Sequence, residues 1–292
     1  MKKFITKAIL IVILASLVMT LAVSLTACGS QKDSDKLYVG LECAYAPFNY
    51  TQRDSSNGAV QIYNTNYRPI RNSYANGYDV MIAQKIAEQL GKELVVVKME
   101  WDALVPAVMA GTVDLIIAGM SPTEDRKEQI DFSEPYYQSN LVLVVRKDGA
   151  YANASSLSDF SGAKVAAQVG TFHNDALQDQ AAANGIAAQT PLADFPALIN
   201  ALSTRAIDAY VAEEPGAIEN CASNPDFKYI PLKNNTTGFV ASDADTAIAV
   251  GIKKGSELTA QINALLATIT QQQRDEMMTR ATQLSTGENV VE

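Results

Sequence analysis

Residues 103–120 read ALVPAVMAGTVDLIIAGM, and residues 197–214 read ALINALSTRAIDAYVAEE. In register, Ala103, Leu104, Ala107 and Asp114 recur as Ala197, Leu198, Ala201 and Asp208. Each segment opens with apolar residues at helical spacing and closes on a short apolar run, so each reads as a helix followed by a buried strand. A recurring unit of this kind predicts two similar lobes. The flanking sequence alternates in the same way. Strands are expected at 37–41, 94–97 and 113–118, a helix at 79–90 that stops at Gly91, and a short helix at 101–111. In the second half a strand is expected at 163–167 and a helix at 175–184. Alternation implies mostly parallel α/β sheets flanked by helices. Ligands of such sheets sit beyond the carboxyl ends of the strands. Those ends are Leu41 and Glu42 and residues 119–121 in one lobe, and residues 168–173 and 212–214 in the other.

The stretch AGMSPTEDRKEQIDFSEPYY, residues 118–137, carries an arginine where a strand gives way to a helix. Ser121 followed by Glu124 reads as a capping box, with Pro122 at the first helical position. The first turn of a helix points orphan N–H groups and the positive end of its dipole outward, which suits an anion. Arg126 adds a planar fork of donors matched to a carboxylate or phosphate. The competing reading is a surface ion pair of Arg126 with Glu124 or Glu128, worth only about 0 to 1 kcal/mol.

The chain opens MKKFITKAILIVILASLVMTLAVSLTAC, three lysines ahead of a long apolar run. This is read as an export signal over residues 1–27. Leu25-Thr26-Ala27-Cys28 resembles a bacterial lipobox, which makes Cys28 the lipidated first residue of the mature chain. Residues 28–35 follow as a polar tether. No second long apolar run occurs, so the protein is expected to be lipid-anchored on the extracytoplasmic face and not to span the membrane. Loss of Lys2, Lys3 and Lys7 with the signal takes the formal charge from −9 to −12, which argues against a nucleic-acid partner. Apart from Cys28 there are only Cys43 and Cys221, either free or bridged. A single histidine, His173, argues against a zinc centre, and no cofactor is expected.

Five segments, GLECAYAPF (40–48), GYDVMIAQKIAEQLGK (77–92), the whole of 101–137, GAKVAAQVGTFHND (162–175) and AIDAYVAEEPGA (206–217), resemble one known family. They are similar to the polar amino acid-binding lipoproteins of bacterial ABC importers, with the two-lobed type II periplasmic-binding-protein fold. The resemblance implies that the chain captures a free L-amino acid, with no catalysis, as a monomer serving an importer permease and its ATPase. It implies that Arg126 clamps the ligand α-carboxylate, aided by N–H groups of Ser121 and Phe172. Glu213 stands where an acid receives the ammonium, with the Gly119 carbonyl and Ser121 hydroxyl. Glu42, Tyr45, Trp101, Thr171 and His173 stand where the ligand side chain is held. Glutamate in place of the aspartates common in relatives, and Phe172 in place of a small hydroxyl residue, are departures.

Plainer readings stay open for several of these residues. Trp101 fills the core or lines the pocket; His173 caps a helix near Asn174 or lines the pocket; Glu213 and Glu214 each face the cleft or are merely solvated. Residues 49–76 are longer than the matching turn in most relatives and, with Asn57-Gly58, read as an extended hairpin. It either covers the ligand through Tyr63, Tyr67 or Tyr74 or decorates the surface. Lobe 1 is placed at 36–141 and 248–292, lobe 2 at 142–238, and the second crossing between them at 239–247. Charge points to a polar or basic ligand, with arginine, lysine, histidine and glutamine all open. The alternative is a small dehydratase of prephenate or arogenate on the same fold.

Overall fold

The computed structural model describes residues 32–286 together with 290 and 291. The signal, Cys28 and most of the tether lie outside the described residues.

Strands β1 (Lys36–Leu41), β2 (Ala44–Tyr45), β3 (Asn49–Gln52), β4 (Val60–Tyr63), β5 (Pro69–Asn76), β6 (Glu93–Lys98), β7 (Leu115–Ile116) and β8 (Asp131–Phe132) precede the first crossing. After it come β9 (Tyr137–Gln138), β10 (Leu141–Arg146), β11 (Lys164–Ala166), β12 (Ala187–Ala188), β13 (Ala209–Glu213) and β14 (Phe227–Ile230). The chain then returns through β15 (Ala247–Ile248), β16 (Gly251–Ile252) and β17 (Val290–Val291). Among the described residues one sheet runs β17-β3-β5-β4-β6-β1-β7-β16-β8, and a second runs β12-β11-β13-β10-β14. In the first sheet β1 pairs in parallel with β6 and β7. In the second, β11 pairs in parallel with β12 and β13. The central strands are buried on both faces, as LYVGL in β1 and LVLVVR in β10 are, because helices cover both sides. β9 and β15 pair antiparallel with each other, so the two crossings lie side by side. Leu141 already pairs with Glu213, which puts the first crossing just ahead of it.

The repeat in the sequence is a repeat in hydrogen bonding. The Asp114 carboxylate accepts from Tyr38 N at 2.9 Å, and Asp114 N donates to Tyr38 O at 2.7 Å. In the other lobe Asp208 does the same with Lys164, at 2.9 and 2.8 Å. The helices ahead of them end alike. Ala107 O accepts from Thr112 N and Val113 N, and Ala201 O accepts from Ala206 N and Ile207 N. Two of the recurring residues therefore make the same bonds, closing a helix end and tying the next strand to its neighbour.

Two expectations fail. The helix bearing Arg126 is Glu124–Gln129, with an extended Thr123 at its N-cap and no side-chain cap, so Ser121 and Glu124 form no capping box. The reason is pairing ahead of it: Ile117 N donates to Gly40 O and Met120 O accepts from Ala249 N, which holds these residues in the sheet and delays the helix. Residues 49–76 form no flap over the cleft. They supply β3, β4 and β5 of the first sheet, with β4 parallel to β6. Tyr67 packs on Tyr38, ring centroids 4.7 Å apart, and donates to Thr112 O at 2.7 Å, at the end of β1 and β7 away from the cleft. Cys43 and Cys221 are both free.

Candidate functional site

Past the carboxyl ends of the central strands lies a small cavity of about 20 Å³, room for roughly one water molecule. It is lined by Glu42, Tyr45, Trp101, Gly119, Ser121, Arg126, Thr171, Phe172, His173 and Glu213, all singled out above, and by Ala118, Gln168 and Phe195. Tyr63, Tyr67 and Tyr74 are not among its walls.

The first lobe contributes Glu42 just after β1 and Tyr45 from β2. Cys43 between them takes a positive φ of 57°, a backbone shape rare outside glycine, held by Asn49 Oδ1 on its N–H and the Thr51 hydroxyl on its carbonyl, each at 2.8 Å. The Glu42 carboxylate accepts from Gln168 Nε2 of the other lobe at 2.8 Å. Burial pushes Glu42 up to about 7, against the pull of that hydrogen bond. The Tyr45 ring is stacked between Phe48 (5.1 Å) and Phe195 (4.3 Å), and its hydroxyl donates to Glu213. It lies against Gly119, where φ is +65° and an added Cβ would come within 3.1 Å of the Tyr45 ring.

Arg126 reaches back from its helix. Nη1 donates to Ser121 O at 2.8 Å and Nη2 to Gly170 O at 3.0 Å, with Cζ 5.2 Å from the centre of the Trp101 ring. Burial lowers its pKa to about 10, so it stays charged at neutral pH. Trp101 Nε1 donates to the same Gly170 carbonyl at 2.8 Å. One carbonyl of the second lobe thus takes bonds from both residues of the first. Both readings of Trp101 hold, since it packs in the cluster of Leu104, Val108 and Met120 and also presents its edge to the cavity.

The second lobe supplies the rest from one helix start and one strand end. The helix is Phe172–Asn184, and its cap is Thr171, whose hydroxyl accepts from Asn174 N and donates to Gln168 O. His173 is therefore no cap. Its Nε2 lies 2.8 Å from Glu213 Oε1. Burial, reinforced by the Arg126 charge, pulls His173 down to about 3, and burial pushes Glu213 up to about 8. Nδ1 has no partner. A proton on Nε2, given to Glu213, leaves only an acceptor unpaired, the smaller of the two costs. Glu214 opens the helix Glu214–Ser223 and lines a hollow beside β9 instead, so the cleft acid is Glu213.

Gln168 and Phe195 had weaker sequence signals. Gln168 stood among the strand ends, but its bond to Glu42 crosses 126 positions. Phe195 follows the helix cap Asp194, and nothing in its neighbourhood announces that it stacks on Tyr45.

The arrangement is one guanidinium and two carboxyl groups, drawn from both lobes, around one small space. It contains no activated nucleophile beside a base. A family model for bacterial extracellular solute-binding proteins, family 3, matches residues 37–281. The chain belongs to that family. As a family-3 solute-binding protein it is a transport protein and not an enzyme, and the dehydratase alternative falls. It is 29% identical over 253 residues to an arginine-binding extracellular protein, ArtP, of Bacillus subtilis, covering 83% of this chain and 86% of that one. A probable histidine-binding protein of Campylobacter jejuni is 30% identical over 237 residues, covering 77% and 79%. Among solved structures, an amino acid ABC transporter substrate-binding protein of Streptococcus pneumoniae bound to L-arginine superposes with a TM-score of 0.71. It is 27% identical, with 87% of this chain and 97% of that one covered. Among the described residues no helix is long and apolar enough to cross a membrane.

Proposed function

We propose that the cleft captures a free L-amino acid with a polar or basic side chain and that the protein delivers it to an ABC importer. The observation that carries this reading is the convergence of Arg126, Glu213 and Glu42 on one small cavity. A zwitterion needs one group of each sign, and a third charge selects the side chain. Arg126 takes the α-carboxylate, with N–H groups of Ser121 and Phe172; Glu213 takes the ammonium, with the Gly119 carbonyl and Ser121 hydroxyl. Glu42, Tyr45, Trp101, Thr171 and His173 surround the side chain. Acidic amino acids are rejected: two unit charges about 4 Å apart at an effective dielectric near 20 interact by about 4 kcal/mol, here with repulsive sign. Relatives named for arginine and histidine support a cationic ligand.

An amino acid does not fit a cavity of about 20 Å³. Entry therefore separates the lobes, residues 36–140 with 248–292 against 141–238, one residue earlier than the sequence boundary, turning where β9 and β15 pair, with the second crossing near 239–247. During entry the ligand carboxylate replaces the Gly170 carbonyl at Arg126, and its ammonium replaces Tyr45 and His173 at Glu213. The receptor acts as a monomer, exported by residues 1–27 and held on the extracytoplasmic face through palmitate-type lipid on Cys28, with 28–35 as tether.

Calorimetric and thermal-shift titration against the common amino acids tests this, on protein unfolded and refolded to remove carried ligand. A basic or amide amino acid binds and stabilises, and glutamate does not. Indifference to every amino acid, or preference for leucine or glutamate, refutes it.

A further inference from the structure

Beneath the cleft lies a carboxylate that touches no wall of it. Asp79, fully buried, is the second residue of the helix Tyr78–Gln89. Gly77 starts this helix with φ +123°, so close to the Phe48 carbonyl that an added Cβ would sit 2.4 Å from its oxygen. Two side chains bond to Asp79, Asn49 Nδ2 at 2.8 Å and the Tyr136 hydroxyl at 2.7 Å, and the backbone N–H of Gly119 faces both the carboxylate and that hydroxyl as a third donor.

Each donor leads somewhere specific. Asn49 holds the Cys43 N–H and so the turn that presents Glu42 and Tyr45. Gly119 opens the Gly119–Ser121 strand end, against which Tyr45 rests. Tyr136 stands at the first crossing, where its N–H donates to Ile248 O at 2.8 Å and its carbonyl accepts from Tyr78 Oη at 2.9 Å. We infer that Asp79 is a positioning residue for the binding cleft, a single buried acid that fixes both ligand-facing backbone segments of the first lobe and ties them to the hinge.

The polarity of the network calls for a carboxylate there. The Cys43 N–H commits Asn49 Oδ1, so Asn49 must turn its amide donor towards Asp79. Gly119 has only a donor to offer. A carboxylate accepts from all three partners, whereas an amide carbonyl has lone pairs for two and sets a donor against the third. The titratable groups facing Asp79 are Tyr136, Tyr78 on its own helix and Cys43 at the end of β1. All three are pushed up by burial and are uncharged at neutral pH. Burial raises Asp79 to about 6, against the pull of its three hydrogen bonds. Below that pH one oxygen carries a proton, and the residue resembles its amide.

The inference rests on the amino acid reading for its affinity measurement alone. L-Arginine affinity of wild type, Asp79→Asn and Tyr136→Phe is measured by calorimetry from about pH 5 to about pH 8. At the upper end Asp79→Asn weakens binding about tenfold to a hundredfold, the cost of a buried donor left unpaired. The ratio of wild-type to variant affinity falls towards one below about pH 6. Titration of Glu42 and Glu213 is common to both proteins and cancels in that ratio. A ratio independent of pH, or equal to one throughout, overturns the inference.

A second measurement needs no ligand. The Gly119 amide resonance of wild type moves with an inflection near pH 6, which Asp79→Asn abolishes and Tyr136→Phe, having lost a donor, shifts to higher pH. If Asp79→Asn does not fold, an unmoved inflection in Tyr136→Phe overturns the inference. If wild type binds no amino acid, the functional proposal fails while this measurement still decides the role of Asp79.

Discussion

Replacing Glu42 by Gln separates what the residue does for binding from what it costs in stability, and the two effects have opposite sign. Glu42 is buried, and its pKa rises from 4.5 to about 7. A folded-state value above the unfolded one means that the folded protein holds this proton better. Stability is therefore lost as pH climbs from 4.5 to about 7 and stays at its lower level above that. The shift corresponds to about 3 kcal/mol at full ionisation. Glutamine keeps an acceptor for Gln168 Nε2 and carries no charge. Glu42→Gln should thus be more stable than wild type by up to about 3 kcal/mol at alkaline pH, and no more stable near pH 4. Denaturant melts across that range measure the difference.

Binding should move the other way. Loss of an attraction of about 4 kcal/mol, partly recovered as a neutral hydrogen bond, leaves a deficit of about 2 to 4 kcal/mol for L-arginine. That is roughly thirtyfold to a thousandfold. L-Glutamine should change far less. Near neutral pH the wild type should also release more protons on binding L-arginine than the variant, read as the dependence of calorimetric enthalpy on buffer. Arginine affinity unchanged in Glu42→Gln, with a stability difference flat in pH, would refute the placement of Glu42 opposite the ligand side chain.

Arg126→Lys should weaken every amino acid ligand by about 2 to 4 kcal/mol despite keeping its charge, because an ammonium cannot make two parallel bonds; titration showing less than a tenfold loss would return Arg126 to a structural role. Saturating ligand should compact the protein, and identical X-ray scattering curves with and without it would contradict lobe closure. Cys28→Ala should leave an exported precursor without lipid, checked by metabolic lipid labelling and membrane fractionation.

The fold was legible where one residue reports its own bonds. Asp114 and Asp208 recur because each closes the same pair of bonds with a strand of its own lobe, β1 or β11, and Ala107 and Ala201 because each ends a helix the same way. The residues gathered at the cavity were legible as strand ends and helix starts, since topology sends those places to the cleft. Pairing between segments distant in sequence was not legible. Met120 bonds to Ala249, which moves a helix start that local capping rules put at Ser121. The hairpin read in 49–76 is there as β4 paired with β5, but it is no flap, because β4 also pairs with β6, beyond an intervening helix, and so lies within the sheet. Phe195 was missed for the same reason, as were the bond from Gln168 to Glu42 and the role of Asp79, whose partners Asn49, Gly119 and Tyr136 look unremarkable one at a time.

Trp101 is the only tryptophan in the chain, and its indole N–H is bonded across the cleft to Gly170. The proposed opening of the lobes would break that bond and wet the indole. The molecule therefore carries its own optical gauge: with no dye attached and no competing indole, intrinsic emission intensity and colour should follow the distance between lobes in real time. Stopped-flow records of that signal would resolve whether closure precedes or follows the arrival of the solute.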